Sequence, residues 1–182
     1  MTQKEKWDKI AYYYLKDCGD ILDIGCGTGR FISLNPWRIW GLEQESTSVK
    51  YCRDRNLHII QADIRDWHPR LTFNGVHCSH IIEHFTPPEV HQILTNINYI
   101  LPSGGILVIR SPLLWPHFYD DLTHVKPYNP AAIMHYLCGG IQHTLPQISD
   151  RYRLVHLRYR WRRIKGVFFP QRTGYMLVLR KI

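Results

Sequence analysis

The chain has 182 residues and a mass of 21.6 kDa, room for one ordinary domain, and we read residues 1–182 as that single domain. Its 45% hydrophobic and 21% charged composition excludes a disordered chain, and no apolar run approaches the ~20 residues of a membrane span. The formal charge of +8 is uneven: residues 1–150 hold 13 Lys/Arg against 15 Asp/Glu, whereas residues 151–182 hold 10 Lys/Arg and no acid.

In chain order, Lys6–Leu15 can place Trp7, Ile10, Ala11, Tyr14 and Leu15 on one helical face. Short apolar runs follow at Ile21–Ile24, Arg38–Glu43, His58–Ala62, Gly75–His80 and Gly105–Arg110, and their lack of alternation suits parallel strands buried on both faces. Between them, residues 30–37 contain Asn35-Pro36, so the first crossover must be stubby, and Glu45–Arg55 is a weak helix. The clearest helix starts at Thr86-Pro87-Pro88-Glu89, a capping-box spacing with proline at the first helical position, and Pro102–Gly105 stops it. Asn129-Pro130 opens another helix that Gly139-Gly140 closes. Arg153–Arg163 alternates, with Val155, Leu157, Tyr159 and Trp161 on one face and cations on the other, and Thr173–Leu179 is a second strand. The connection 164–172 suits an antiparallel pair. The N-terminus carries no apolar segment of the kind that directs secretion, so a cytoplasmic location is expected. The five scattered cysteines read as free thiols, and without a Cys-x-x-Cys pair structural zinc is not expected.

The first strand runs into Asp23-Ile-Gly25-Cys26-Gly27-Thr-Gly29. Glycines let the chain turn sharply and let a ligand approach the backbone. Arg30 stands where a dinucleotide fingerprint would place its third glycine, and no Lys-Ser/Thr completes a phosphate-binding loop. Glu43, 18 residues after Gly25, ends the second strand and can accept both hydroxyls of a ribose. Asp63, 20 residues further, ends the third and can accept from an exocyclic amine, while Asp23 could help hold an ammonium. A ligand with amine, ribose and adenine but no phosphates fits these groups better than a nucleotide.

These motifs, together with Leu101-Pro-Ser-Gly-Gly-Ile-Leu107, resemble the class I S-adenosylmethionine-dependent methyltransferases over nearly the whole chain. The resemblance implies a Rossmann-like, doubly wound α/β sheet of seven strands, order 3-2-1-4-5-7-6 with strand 7 antiparallel. It implies S-adenosyl-L-methionine as cofactor and S-adenosyl-L-homocysteine as product. Gly25, Gly27 and Gly29 would approach the methionine part, Glu43 the ribose and Asp63 the adenine amine, with Ile64 packed on the ring. Cys26, Gln44 and His80 would adjoin the same ligand.

Methyl transfer from a sulfonium needs alignment and exclusion of water, and a base only where the acceptor must lose a proton. His80-Ile-Ile-Glu83-His84 follows strand four, and positions i, i+3 and i+4 of a helical turn share a face. His84, His124 and Glu83 are therefore the candidate catalytic residues. With His80 they could also ligate a divalent ion, but helical His/Glu groupings often only hydrogen-bond, and no metal is expected. The long segment 111–128 is read as a substrate lid, with Trp115 and Tyr119 as contacts. Parallel running of the sixth strand would bring Arg160, Arg162 and Arg163 to the rim of the cofactor face and send Arg151 and Arg153 to the far end. The expected acceptor is a small molecule or glycan, plausibly anionic. The alternatives are RNA, held by the Arg158-Tyr-Arg-Trp-Arg-Arg163 strand, and a cofactor-binding domain without catalysis.

Overall fold

The computed structural model describes residues 2–68, 71–140, 144–166 and 168–182. Val167, inside the expected connection 164–172, lies outside the described residues.

Seven strands form one sheet in the order β3-β2-β1-β4-β5-β7-β6. They are β1 Ile21–Ile24, β2 Ile39–Glu43, β3 Ile59–Gln61, β4 Gly75–Ser79, β5 Ile106–Pro112, β6 Tyr152–Arg162 and β7 Gln171–Lys181. Strands β1 to β5 pair in parallel, and β7 pairs antiparallel with both β5 and β6. β6 therefore runs with the parallel set, as the resemblance implies. The order reverses beside β1, so the crevice outside the C-terminal ends of β1 and β4 is where this architecture places a ligand.

Among the described residues four α-helices, α1 Gln3–Leu15, α2 Ser46–Arg53, α3 Pro87–Ile100 and α4 Pro130–Leu137, complete the layers. On one face, Ala11 and Leu15 of α1 pack with Ile21, Ile39, Val108 and Val178. On the other, Val90, Ile93, Leu94 and Ile97 of α3 and Ile133 and Leu137 of α4 cover Leu22, Val76, Leu107 and Leu177. The strands' lack of alternation follows, because both faces are covered. Among the described residues no helix is long and apolar enough to cross a membrane.

Caps set the helix ends. The Glu89 carboxylate accepts from the Thr86 amide at 2.8 Å and hydroxyl at 2.7 Å, closing the α3 box. Glu45 caps α2 from outside, accepting from the amides of Thr47 and Ser48, so this helix starts one residue later than its spacing suggests. Helix α1 starts three residues earlier than expected, because Thr2 and Glu5 make a reciprocal box that the sequence already spells. The stubby first crossover is a single 3₁₀ turn, Ile32–Leu34.

Two expectations need correction. β4 stops at Ser79, and His80 leaves the strand with φ +60°, so it is neither in the strand nor on the 3₁₀ turn Ile82–His84. The β6–β7 pairing shifts twice: β6 carries an extra residue, Val155, between Leu154 and His156, and β7 carries one, Thr173, opposite the Arg160–Trp161 step. An extra residue reverses which side chain faces inward on its own strand. Leu157 and Tyr159 join the core as expected, but Val155 and Trp161 are exposed and Arg160 is partly buried.

Candidate active site

At the C-terminal strand ends lie two adjoining spaces. The smaller, about 160 Å³, is a slot walled by Ile24, Leu42, Ala62, Ile64, Ile81 and Phe85, with Gly25, Glu43, Gln44, Asp63 and His84 along it. Apolar walls with two carboxylates suit a flat heterocycle carrying hydroxyl and amine groups. The larger, about 490 Å³, is a polar chamber reaching from the glycine loop to α1 and β6. Gly25 and His84 line both, so the two spaces share a wall.

The glycine loop forms one edge. Gly25, Gly27 and Gly29 have φ of +63°, +53° and +76°, in the left-handed region that L-residues avoid. A Cβ at Gly25 would sit 1.9 Å from the Ile81 side chain, whereas one at Gly27 would meet no protein atom within 4 Å. Gly27 thus faces open space that a ligand can approach. Gly29 does not join the site: it lines neither space, and a Cβ there would press on Leu57 at 2.5 Å, so it serves the turn and its packing. Cys26 lines the chamber, and burial raises its thiol pKa, which makes it a poor nucleophile.

The acids are held differently from one another. Glu43 Oε2 accepts from the Gly27 amide at 2.9 Å, and Oε1 accepts from the amides of Gln44 and Glu45 at 2.9 and 3.0 Å. Its carboxylate is thereby fixed at the slot. Asp63 is gripped by Arg65, which also reaches Glu89 at 2.6 Å, and these bonds hold the Asp63 carboxyl below the usual range. Asp23 is buried and bonded to His77 Nδ1 at 2.7 Å, with Phe31 stacked on the His77 ring at 3.8 Å. Burial pushes the Asp23 carboxyl up and His77 opposes the rise. A partner already meets Asp23, so its contact with a ligand ammonium is second to its bond with His77.

The chamber's far wall is built from the turn after β4 and the segment after β5. Glu83 is fully buried, with Oε1 3.1 Å from His80 Nδ1 and Oε2 accepting from the Ser111 hydroxyl at 3.2 Å. The Glu83 carbonyl accepts from the Val125 amide at 2.8 Å, which ties the two segments together. The His84 and His124 rings lie 5.0 Å apart. His124 Nδ1 is 2.6 Å from the Phe118 carbonyl, and His84 Nδ1 is 3.2 Å from the Thr123 carbonyl. A carbonyl oxygen only accepts, so both Nδ1 atoms donate and the neutral rings carry their lone pairs on Nε2; His124 Nε2 lies 3.9 Å from Asp121 Oδ2.

The opposite wall is cationic. Arg110, Arg160 and Arg162 line it with Trp7 and Lys4. Arg110 and Arg30 share one carboxylate, Asp8, each at 2.6 Å. Arg160 donates to the Thr173 hydroxyl and carbonyl, and among the described residues no carboxylate pairs with Arg160 or Arg162. Burial, then Arg162 and Arg110, lower the Arg160 pKa. Of the remaining expected contacts, Trp115 lies beside the Arg162 guanidinium at 5.7 Å but lines neither space. Tyr119 is 58% exposed, edge-on to Phe118, and Arg163 is exposed beyond the end of β6; neither reaches the chamber. Asp8, Arg110 and Ser111 were missed from the pattern. Asp8 meets Arg110 across 102 residues, and no local signal marks that pairing.

Comparison with known proteins agrees with this fold. Residues 21–105 match the family model described as a methyltransferase domain. The tRNA (carboxymethyluridine(34)-5-O)-methyltransferase of Arabidopsis thaliana is 25% identical over 136 residues, 72% of this chain and 33% of that protein. The trans-aconitate 2-methyltransferase of an Azoarcus species is 25% identical over 124 residues, 64% of this chain and 47% of the relative. The chain thus spans a third to a half of the length of these relatives. Among solved structures, a SAM-dependent methyltransferase from Archaeoglobus fulgidus superposes with TM-score 0.74 at 20% identity, covering 98% of this chain and 95% of the other. The N-methyltransferase NodS of Bradyrhizobium japonicum, in complex with S-adenosyl-L-homocysteine, superposes at 0.73 with 14% identity, covering 98% and 87%. Residues 21–105 are thus similar to a methyltransferase domain, and the whole chain shares the fold of the solved S-adenosylmethionine-dependent methyltransferases.

Proposed function

We propose that the protein transfers a methyl group from S-adenosylmethionine to an acceptor bearing a carboxylate or another anionic group. The observation that carries this reading is the shared wall. An apolar slot with Glu43 and Asp63 adjoins, across Gly25 and His84, a chamber whose far side holds Arg160 and Arg162, neither with a carboxylate partner among the described residues. When bound in the slot, S-adenosylmethionine supplies a methyl group already activated as a sulfonium.

The chain's own residues supply the rest. Glu43, fixed by three backbone amides, presents its remaining lone pairs to ribose hydroxyls. Asp63 stays ionised because Arg65 stabilises its charge, so it can accept from an amine. Ile64 and Ile81 give the ring a dry surface. Gly27 lets the backbone approach the amino-acid end of the ligand without a side chain between them. In the chamber, Arg160 and Arg162 hold the acceptor's anion, and Trp7 on α1 restricts water. The Nε2 lone pairs of His84 and His124 face the acceptor and can orient, or accept a proton from, a nucleophilic hydroxyl. Holding the acceptor at both ends gives the alignment that in-line transfer requires. The relative acting on trans-aconitate, a polycarboxylate, supports the anionic class.

An RNA acceptor is the second reading, favoured by the tRNA-directed relative and by Arg172 lying against both Tyr159 and Trp161 at 4.3 and 5.0 Å on the β6 edge. Label transfer from methyl-labelled cofactor into cell extract, fractionated by anion exchange and run with and without nuclease, separates the two. The anionic small-molecule reading expects nuclease-resistant label in small acidic species. Label lost on nuclease treatment would select RNA, and label confined to neutral species would reject the Arg160/Arg162 role.

A further inference from the structure

We propose that Glu83, His84 and His124 form a binding site for one divalent transition-metal ion at the wall between slot and chamber. One ligand atom from each lies within 4.8 Å of the others. Three observations converge on a cation.

The first is orientation. Each imidazole is held through Nδ1 by a backbone carbonyl, Thr123 for His84 and Phe118 for His124. That arrangement fixes the tautomer, leaves Nε2 as a lone-pair donor and matches the outer-shell support that metal-bound histidines use. The second is charge. Glu83 is fully buried, yet among the described residues no Lys or Arg pairs with it; its partners are His80 and a serine hydroxyl. A buried carboxylate costs several kcal/mol unless a cation compensates it. The third is rigidity. Glu83 and His84 sit on one 3₁₀ turn, and the segment carrying His124 is pinned to that turn by the Val125 and Lys126 amides on the Glu83 carbonyl at 2.8 and 3.3 Å. The donors are therefore set by backbone bonds and not by free loops.

Two imidazoles and one carboxylate are a mixed N/O set with open positions on the chamber side. That set suits zinc, manganese or iron(II) better than calcium or magnesium, which prefer oxygen alone. His80 is outside this group: its Nδ1 bonds to Glu83 Oε1, and its ring is not among the three donors that lie within 4.8 Å of one another. The three residues differ from the cationic wall, and the inference stands whether or not the acceptor is anionic; with an ion held, the two Nε2 lone pairs are taken by it and no longer serve as proton acceptors.

The test uses the full chain, stripped with chelator, titrated with zinc chloride by calorimetry and with cobalt(II) by visible absorption. The expected result is one ion per chain with micromolar or tighter affinity. It should weaken at least 30-fold in His124→Ala and in Glu83→Gln, and remain within threefold of wild type in His68→Ala, an exposed histidine elsewhere. His84→Gln is the second variant should His124→Ala fail to fold, judged by circular dichroism. Absence of binding below millimolar zinc would overturn the proposal. So would tight binding that survives these ligand substitutions in folded protein, since that places the ion at other histidines.

Discussion

Asp8→Asn tests how the chamber is held. Asp8 is 2% exposed and bridges two guanidiniums, Arg110 through Oδ1 and Arg30 through Oδ2, each at 2.6 Å. The two halves are unequal. The Arg30 side chain is 51% exposed, so solvent screens its pair to ~1 kcal/mol or less. The Arg110 side chain is 6% exposed, and burial already lowers its pKa against the support of Asp8. An amide in place of the carboxylate keeps the shape but leaves Arg110 a buried charge without a counter-charge, a loss of about 3–5 kcal/mol. For a chain of this size that corresponds to a melting temperature lower by roughly 6–20 °C. Urea and thermal unfolding of Asp8→Asn, Arg30→Gln and Asp8→Asn/Arg110→Gln measure it. The account expects Arg30→Gln to be nearly silent and the double variant to recover most of the loss. A destabilisation of Asp8→Asn below 1 kcal/mol, or an equal loss in Arg30→Gln, would refute the reasoning.

Arg162→Glu should reduce acceptor turnover at least tenfold with cofactor affinity within threefold of wild type, while Arg163→Glu, outside the chamber, should do neither; equal effects in steady-state assays would contradict the placement. Gly29→Ala should destabilise by roughly 1–3 kcal/mol, from a left-handed φ and a Cβ pressed on Leu57, and leave cofactor affinity of the folded fraction unchanged; paired calorimetry and denaturation check it. Glu89 is held down to about 2, first by the Thr86 amide. A depressed carboxyl stabilises the fold above its unfolded pKa of ~4.3, and that stability is lost as pH falls toward about 2. Glu89→Gln should therefore flatten the loss of stability between about pH 4.5 and 2 in urea titrations; an unchanged slope speaks against the cap.

That Gly25, Glu43 and Asp63 line one slot was legible because it is local. Each stands at or just after the end of a parallel strand, and the sheet order brings consecutive strand ends together. The acceptor side was less so. His80 was read as strand, yet its positive φ takes it out of both strand and turn. The β6 alternation puts Val155 and Trp161 on the inward face, whereas both are exposed, and extra residues at Val155 in β6 and Thr173 in β7 interrupt the regular pairing; the strand's direction brings Arg162 to the chamber but leaves Arg163 outside it. Tyr119 was placed in a lid by composition, whereas the 3₁₀ turn Phe118–Asp120 buries Phe118 and turns Tyr119 outward. Asp8 and Arg110 meet only through tertiary packing, which no periodicity encodes. The α1 start, by contrast, was available in Thr2-Gln-Lys-Glu5.

Calorimetry with S-adenosylhomocysteine tests the central claim most directly, that the strand-end slot binds the cofactor. Wild type should bind one equivalent and gain thermal stability. Gly27→Arg, which fills the open space beside the loop, should abolish the heat while keeping a folded circular dichroism spectrum. No heat and no stabilisation in the intact protein, or binding that survives Gly27→Arg, would contradict the account.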